Sequence, residues 1–165
     1  HPGGGWVFDT AFVPEAYALK GEELAETSAL LFGRRSYEAF SAFWPSSEDH
    51  AAYLDLPKFV VSSSIGADDL VEGWGETTVL RSTDDVAALK DTLGGAIFVH
   101  GSADLARRLG EAGLIDRYNL LLFPYLLPGG KTIVGDAGAD RRTLQLRESE
   151  AYDNGVVKLV YDVVR

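Results

Sequence analysis

Short apolar runs separated by helical patterns occupy the first two thirds of the chain. The continuous apolar triplets at 59–61 and 97–99 are typical of strands covered on both faces, as in a parallel sheet flanked by helices. We predict seven strands, at residues 29–32, 58–62, 77–81, 96–100, 118–125, 143–150 and 156–164. This order of elements indicates an α/β fold.

Four helical patterns separate the early strands. Pro14 is placed to begin the first helix, and apolar side chains recur at helical spacing over residues 36–43. Thr83 and Ser102 are the predicted N-caps of the third and fourth helices, because their hydroxyls can accept a bond from a free backbone N–H. The helices are therefore expected on both sides of the sheet.

The last two strands follow a different pattern. Leu144 and Leu146 alternate with polar neighbours, and Asn154-Gly155 is a dipeptide favoured in tight hairpin turns. The predicted fold is thus a three-layer α/β domain. Its sheet is mixed and mainly parallel, and it ends in an antiparallel hairpin.

Composition is consistent with one domain over residues 1–165, since 46% of the residues are hydrophobic. A formal charge of −10 disfavours binding to nucleic acid, and no apolar run approaches the ~20 residues needed to span a bilayer. The chain has no cysteine and only three scattered histidines, His1, His50 and His100, so no metal site is expected. We expect a cytoplasmic protein that binds neither nucleic acid nor membranes.

Polar residues suited to a ligand follow three of the predicted strands, where α/β sheets place their ligands. After the first, Gly33 leads into Arg34, Arg35 and the helix start at Ser36. Free N–H groups and guanidinium groups there can bind an anion, although two arginines can also simply solvate a helix start.

The other two junctions carry hydroxyls and glycine. Ser62 and Ser63 follow a buried strand, where hydroxyls bind phosphate or cap a loop equally well. Gly101 and Ser102 lead from a strand into a helix, as in a diphosphate site, without the G-x-G-x-x-G fingerprint. Three such junctions in one small domain favour a composite nucleotide site.

These segments together resemble a known family. FGRRSYE at 32–38, VVSS at 60–63 and VHGS at 99–102 are similar to dihydrofolate reductase-like proteins. ADLARRL at 103–109, GLIDRY at 113–118 and FPYLLPGGK at 123–131 resemble one branch in particular, the reductase domain of the riboflavin-biosynthesis deaminase-reductase. The resemblance covers about residues 6–164, and the combination is far more specific than any single motif.

The resemblance implies an NADPH site. It assigns the 2′-phosphate and diphosphate to Gly33, Arg34, Arg35 and Ser36, the adenosine phosphate to Ser62 and Ser63, and the diphosphate below the fourth helix to Gly101, Ser102, Ala103 and Leu105. Arginine suits the extra phosphate, and backbone N–H groups suit the diphosphate.

The chain also departs from that family. It opens on HPGGG without a methionine, and the family's first strand, which carries residues beside the nicotinamide, precedes the region where this chain begins. Gly101-Ser102 replaces a Gly-Gly pair that is joined by a cis peptide in dihydrofolate reductases. Neither Glu15 nor Asp9 aligns cleanly with the pterin-binding carboxylate. We therefore name no proton donor and do not expect dihydrofolate reductase activity.

Four aromatic residues are candidates for stacking on a flat substrate near the mouth of the cleft: Trp6, Phe8, Trp44 and Tyr125. Ordinary core packing is the alternative for each of them. Trp44 in particular completes a helical stripe with Tyr37 and Phe40.

The function implied by the resemblance is an NADPH-dependent reductase of a small heterocycle. The nearest specific activity is reduction of 5-amino-6-(5-phosphoribosylamino)uracil in riboflavin synthesis. A deaminase domain is not expected, because a zinc deaminase needs ligands that this cysteine-free chain lacks. The alternative is a nucleotide-binding or interaction domain without turnover.

A homodimer is also expected. The strands at 118–125 and 156–164 are apolar on both faces, and four helices are few to cover both sides of such a sheet. The resemblance to the riboflavin branch implies the same, because relatives there pair through this domain. The alternative is that the family's first strand covers the same surface.

Overall fold

The computed structural model describes residues 5, 9–135 and 141–165. Its elements are α1 (Pro14–Glu26), β1 (Thr27–Gly33), α2 (Arg34–Ser41), β2 (Lys58–Val61), β3 (Thr77–Leu80), α3 (Thr83–Thr92), β4 (Ala96–Val99), α4 (Ala103–Glu111), β5 (Arg117–Leu122), β6 (Leu144–Ala151) and β7 (Val157–Val163). Short 3-10 turns lie at Trp44–Ser46, Glu48–Tyr53 and Ala67–Asp69. No helix in the described ranges has the length and apolar character to cross a membrane.

The first four strands form a parallel sheet in the order β3-β2-β1-β4. Its central strand β1 is almost wholly enclosed, with Leu30, Leu31 and Phe32 at most 1% exposed. Leu30 and Phe32 belong to a core on the side of α2, whereas Leu31 packs with Val86 of α3 and with α4. The sheet is therefore covered on both faces, as the unbroken apolar run predicts.

The last three strands form a separate antiparallel sheet in the order β5-β7-β6. Helix α1, which leads directly into β1, contacts this sheet through polar groups. Asn119 Nδ2 of β5 donates to Glu23 Oε1 of α1 at 3.1 Å, and Arg117 pairs with Glu26 at 3.4 Å. Lys158 of β7 approaches Glu22 at 3.5 Å.

Within the described residues, no strand pairing joins β4 to β5. Side chains of both strands line a cavity of about 620 Å³ between the sheets, including those of Phe98 and Tyr118. The predicted three-layer α/β fold is confirmed. Its parallel and antiparallel parts form two sheets, because the facing edges of β4 and β5 do not meet.

The predicted strands are all present, with ends shifted by a few residues. The strand predicted at 118–125 ends at Leu122, since Pro124 has no N–H to donate to a ladder. The second helix begins at Arg34 rather than Ser36, directly after β1.

Of the two predicted N-caps, Thr83 is wrong, and Ser102 is right in position only. Ser82, not Thr83, caps α3: its hydroxyl accepts from the Asp85 N–H at 3.2 Å, and the Asp85 carboxylate accepts from the Ser82 N–H at 3.0 Å. Ser102 precedes α4 but makes no side-chain cap bond. Its hydroxyl is used in a long-range contact that no local pattern could reveal.

One buried lysine holds the segment before β2. Lys58 is fully enclosed, and its Nζ donates to the carbonyl oxygens of Tyr53, Leu54 and Leu56 at 2.8–2.9 Å. Burial lowers the pKa of Lys58 to about 8. The ammonium thus ties the turn that contains Tyr53 to the parallel sheet.

Candidate functional site

The carboxyl ends of the parallel strands bring two helix starts together. Helix α2 follows β1 directly, and α4 follows β4 after only His100, Gly101 and Ser102. Because β1 and β4 are neighbours in register, with Leu31 beside Val99, both helices present their first N–H groups at the same edge of the sheet.

A hydrogen bond links the two junctions. The Gly33 N–H donates to Ser102 Oγ at 2.9 Å. A Cβ atom placed on Gly33 would lie 3.5 Å from Ser102 Oγ, and one on Gly101 would lie 3.6 Å from Ser36 Oγ. Gly33 is therefore bonded to Ser102, and Gly101 lies close to Ser36. The first and third junctions, both predicted to bind the diphosphate, adjoin each other.

The backbone at the third junction is left-handed for two consecutive residues. Gly101 has φ of +62° and Ser102 has φ of +57°. Ser102 is the single non-glycine residue with positive φ in the described part of the chain. A left-handed non-glycine residue costs about 1–2 kcal/mol, and strain of this kind is concentrated at functional sites. The bond from Gly33 helps to hold Ser102 in this conformation.

The second junction is joined to the first through Arg34. Its Nη1 donates to Ser64 Oγ at 2.8 Å, and its Nε donates to Glu38 Oε1 at 2.6 Å. The bond with Glu38 raises the pKa of Arg34. The guanidinium is exposed and lies on the β2 side of the junction.

Arg35 is also exposed and makes no hydrogen bond to any residue that the structure describes. Its charge acts on Asp104 in the first turn of α4, whose pKa is lowered chiefly by the hydrogen bond from Lys131 at 2.6 Å. Arg35 therefore lies toward α4, whereas Arg34 lies toward the segment after β2.

The two predicted serines have different surroundings. Ser62 is buried, and its hydroxyl accepts from the N–H groups of Ser64 and Ile65 at 3.2 and 3.1 Å. Ser63 is exposed beside it. The sequence leaves phosphate binding and loop capping open for these serines. The Ser62 oxygen caps the loop, whereas the Ser63 side chain is accessible at the carboxyl edge of the parallel sheet.

Sequence reasoning missed Arg81, which follows β3. Its Nη1 donates to the carbonyl oxygens of Ser62 and Ile65, each at 2.8 Å. It thereby fixes the loop that carries the hydroxyls. The sequence does place a basic residue at the carboxyl end of a predicted parallel strand. That position alone does not distinguish a loop-binding arginine from an ordinary last residue of the strand.

The two aromatic candidates that the structure describes, Trp44 and Tyr125, have different surroundings. Trp44 is 8% exposed and stacks on Phe40 at 4.8 Å, so core packing accounts for it. Tyr125 is 40% exposed and its hydroxyl accepts from Thr10 Oγ1 at 3.0 Å. Trp6 and Phe8 lie outside the described residues.

Sequence analysis also assigned no role to His100, the residue before Gly101. Its ring makes edge-to-face contacts with Trp44 and Tyr53, both with centroids 5.7 Å apart, and lies 6.2 Å from the ring of Phe98. Burial, followed by the charge of Lys20, lowers the pKa of His100 to about 4. The imidazole is therefore neutral at pH 7.

The described residues contain no group of three or more side chains that could hold a metal ion. The prediction of a metal-free site is a statement about the whole chain, and it stays a prediction.

Comparison with known proteins gives the family. The RibD C-terminal domain matches residues 4–158. The chain belongs to this family. The resemblance stated from the three junction motifs is therefore confirmed, and the family is reductase-like.

Individual relatives agree with this assignment. The uncharacterized protein YyaP of Bacillus subtilis is 26% identical over 142 residues, which is 84% of this chain and 75% of that protein. A crystal structure of a putative riboflavin biosynthesis protein from Shewanella sp. PV-4 has a TM-score of 0.77 at 17% identity, over 97% of this chain and 87% of that one.

Other solved structures share the fold of this RibD-type domain. A pyrimidine reductase-like protein from Corynebacterium diphtheriae has a TM-score of 0.56 at 15% identity, over 84% of this chain and 76% of that one. Acinetobacter baumannii RibD has a TM-score of 0.63 at 11% identity, over 94% of this chain. The chain corresponds to 52% of that protein.

Proposed function

We propose that the chain is an NADPH-dependent reductase of a small heterocycle, similar in activity to 5-amino-6-(5-phosphoribosylamino)uracil reductase. The observation that carries this proposal is the bond between Gly33 and Ser102, which sets the starts of α2 and α4 side by side. RibD reductases generally use NADPH.

The residues at this edge fit a phosphorylated dinucleotide. Two helix starts supply N–H groups for a diphosphate, and Gly101 leaves space beside Ser36 where a larger side chain would stand. Arg35, on the α4 side, would meet the diphosphate. Arg34, bonded to Ser64 on the β2 side, would meet the 2′-phosphate.

When bound, the cofactor supplies the hydride, and the protein supplies position and electrostatics. Arg34, Arg35 and the helix starts would hold the phosphates and would thereby position the nicotinamide. The carboxylates of Glu38 and Asp104 are paired with Arg34 and Lys131, which limits their repulsion of the incoming phosphates.

Titration with NADPH and NADH, followed by turnover against a panel of pyrimidines and pterins, tests the proposal. We expect tighter binding of NADPH and its oxidation by at least one pyrimidine. Binding without oxidation by any compound would favour the alternative, a nucleotide-binding domain without turnover. Equal and weak binding of both cofactors would contradict both.

We also propose that the protein is a homodimer that pairs through the antiparallel sheet. The strand register places one uncharged set of side chains on a single face: Tyr118, Leu120, Leu122, Leu144, Leu146, Val157, Leu159, Tyr161 and Val163. We call this set the open face. Leu122, Leu144 and Leu146 on it are 41–60% exposed.

A second copy of the chain is the occupant that suits the open face. The whole chain carries a charge of −10, so two copies repel each other least where they present no charge. The opposite face already packs on α1 through Arg117, Asn119 and Lys158. Closed two-fold pairing is the commonest way to bury an apolar surface of this kind.

A further inference from the structure

The segment that follows β5 reaches back to the start of α4. Residues 123–135, all of which the structure describes, form neither helix nor strand. Near the end of this segment, Lys131 Nζ lies 2.6 Å from Asp104 Oδ2. The two residues are 27 positions apart in the sequence. The ion pair therefore brings segment 123–135 to the first turn of α4.

This ion pair lies on the side of the candidate cofactor site. Asp104 is the second residue of α4, whose start is bonded to the start of α2 through Ser102 and Gly33. The pKa of Asp104 is lowered first by the hydrogen bond and the charge of Lys131, and further by charges that include Arg35. Lys131 and Arg35 therefore bring positive charge to the same helix start from two separate segments of the chain.

The ammonium of Lys131 is only partly used by this contact. It carries three N–H donors, and the bond to Asp104 is the only one that it makes to the described residues. The Lys131 side chain is 53% exposed and that of Asp104 is 64% exposed. Exposed ion pairs of this kind add little to stability. Two donors of the ammonium thus remain for an anion at the start of α4.

We propose that Lys131 is a third cation of the cofactor site, which donates to the diphosphate while Asp104 holds the other side of its ammonium. The inference rests on the proposed reductase function, since it needs a dinucleotide at the two helix starts. In a chain of net charge −10, this lysine offsets the carboxylate that the first turn of α4 contributes. The bound diphosphate in turn gives segment 123–135 a second anchor at α4.

A cation that contacts the diphosphate does not distinguish NADPH from NADH, because the two cofactors differ only in the 2′-phosphate. Calorimetric titration should show both bound about fivefold more weakly by Lys131→Ala, whereas Lys131→Arg should keep most of the affinity. Lys90→Ala is the matched control, because Lys90 pairs with Asp116 at 2.5 Å in the last turn of α3. Unchanged affinity in Lys131→Ala, or an equal loss in Lys90→Ala, would overturn the assignment.

A double substitution separates contact with the cofactor from simple neutralisation of Asp104. Asp104→Asn removes the negative charge that Lys131 offsets. If Lys131 contacts the diphosphate, adding Lys131→Ala to the Asp104→Asn protein should still weaken NADPH binding by at least about twofold. If the lysine only neutralises the carboxylate, the added substitution should have no effect, and the assignment would be wrong.

Two further readouts separate this inference from the proposed function. Inorganic pyrophosphate tests Lys131 without the rest of the cofactor, and Lys131→Ala should bind it more weakly than the unaltered protein does. Saturating NADPH should slow chymotrypsin cleavage after Leu126, which is fully exposed, and should slow it less in Lys131→Ala. Failure of the unaltered protein to bind NADPH would contradict the proposed function. Pyrophosphate binding that is absent or unchanged in Lys131→Ala, or equal protection of both proteins, would contradict the role of Lys131.

Discussion

The two sheets of this molecule differ in how deeply their strands are buried. The parallel sheet buries its central strand on both faces, with Leu30 and Phe32 at 0% exposure, whereas every residue of β6 in the antiparallel sheet is exposed. The parallel sheet has its own core, and its carboxyl edge is consequently a rigid platform for a site. The antiparallel sheet contacts α1 through polar groups and leaves Leu122, Leu144 and Leu146 exposed on its other face.

The strongest test of this contrast compares two leucines. Leu30→Ala in the parallel sheet should lower the free energy of unfolding by about 2–5 kcal/mol, because it leaves a cavity in a fully packed core. Leu146→Ala, where the side chain is 50% exposed, should cost less than about 0.5 kcal/mol in the monomer. Chemical denaturation at low protein concentration measures both. Similar losses for the two variants would contradict the contrast.

Protonation of His100 should lower the free energy of unfolding by a slightly smaller amount than Leu30→Ala does. Because its folded-state pKa is about 4, below the ordinary value of 6.5, the unfolded chain binds the additional proton between these pH values. Stability should therefore be complete above pH 6.5 and fall by about 3 kcal/mol as the pH decreases through 4. Denaturation curves from pH 7 to 4 should be flatter for His100→Gln, with His50→Gln as the control. Parallel curves for all three proteins would refute the explanation.

The two arginines should differ in what they recognise. Arg34→Ala should weaken NADPH binding by about tenfold and leave NADH binding nearly unchanged, because it lies on the side assigned to the 2′-phosphate. Arg35→Ala should weaken both cofactors to a similar, smaller extent. Fluorescence titration gives the four dissociation constants, and Arg147→Ala on the antiparallel sheet is the control. If neither variant narrows the gap between the cofactors, the arginine assignment is wrong.

A substitution on the open face should change the oligomeric state rather than the stability of the monomer. Leu146→Asp should convert a dimer into a monomer with little change in the stability of the monomer, whereas Gln145→Asp on the other face of β6 should not. Light scattering at micromolar concentration measures this for the unaltered chain and for both variants. A monomeric unaltered chain, or a dimer retained in Leu146→Asp, would rule out pairing through the open face.

The sequence was most informative where local pattern decides the structure. The apolar triplets at 59–61 and 97–99 located strands of the parallel sheet, and the turn at Asn154-Gly155 located the final hairpin. Ends and caps were less predictable. Ser82 and Thr83 are both good N-caps, and only the side-chain geometry of Asp85 chooses between them.

The parts of the site that the sequence missed depend on contacts across the fold. The hydroxyl of Ser102 bonds a residue 69 positions away, and Arg81 reaches backbone oxygens of a loop 16–19 positions earlier. His100 is unremarkable in sequence, because its enclosure comes from Trp44 and Tyr53 on separate segments. Lys58 likewise reads as an ordinary strand residue until its three carbonyl partners are seen.

The central claim is that the junction of β1 and β4 is a dinucleotide site, and one pair of glycine variants tests it most directly. Gly101→Val would place a branched side chain at a left-handed residue, with its Cβ 3.6 Å from both Ser36 Oγ and Phe40. Gly94→Val is the control, because nothing lies within 4 Å of a Cβ there. Calorimetric titration with NADPH should show binding lost in Gly101→Val and retained in Gly94→Val, with circular dichroism showing both folded. NADPH affinity retained in folded Gly101→Val would place the diphosphate elsewhere and contradict the account.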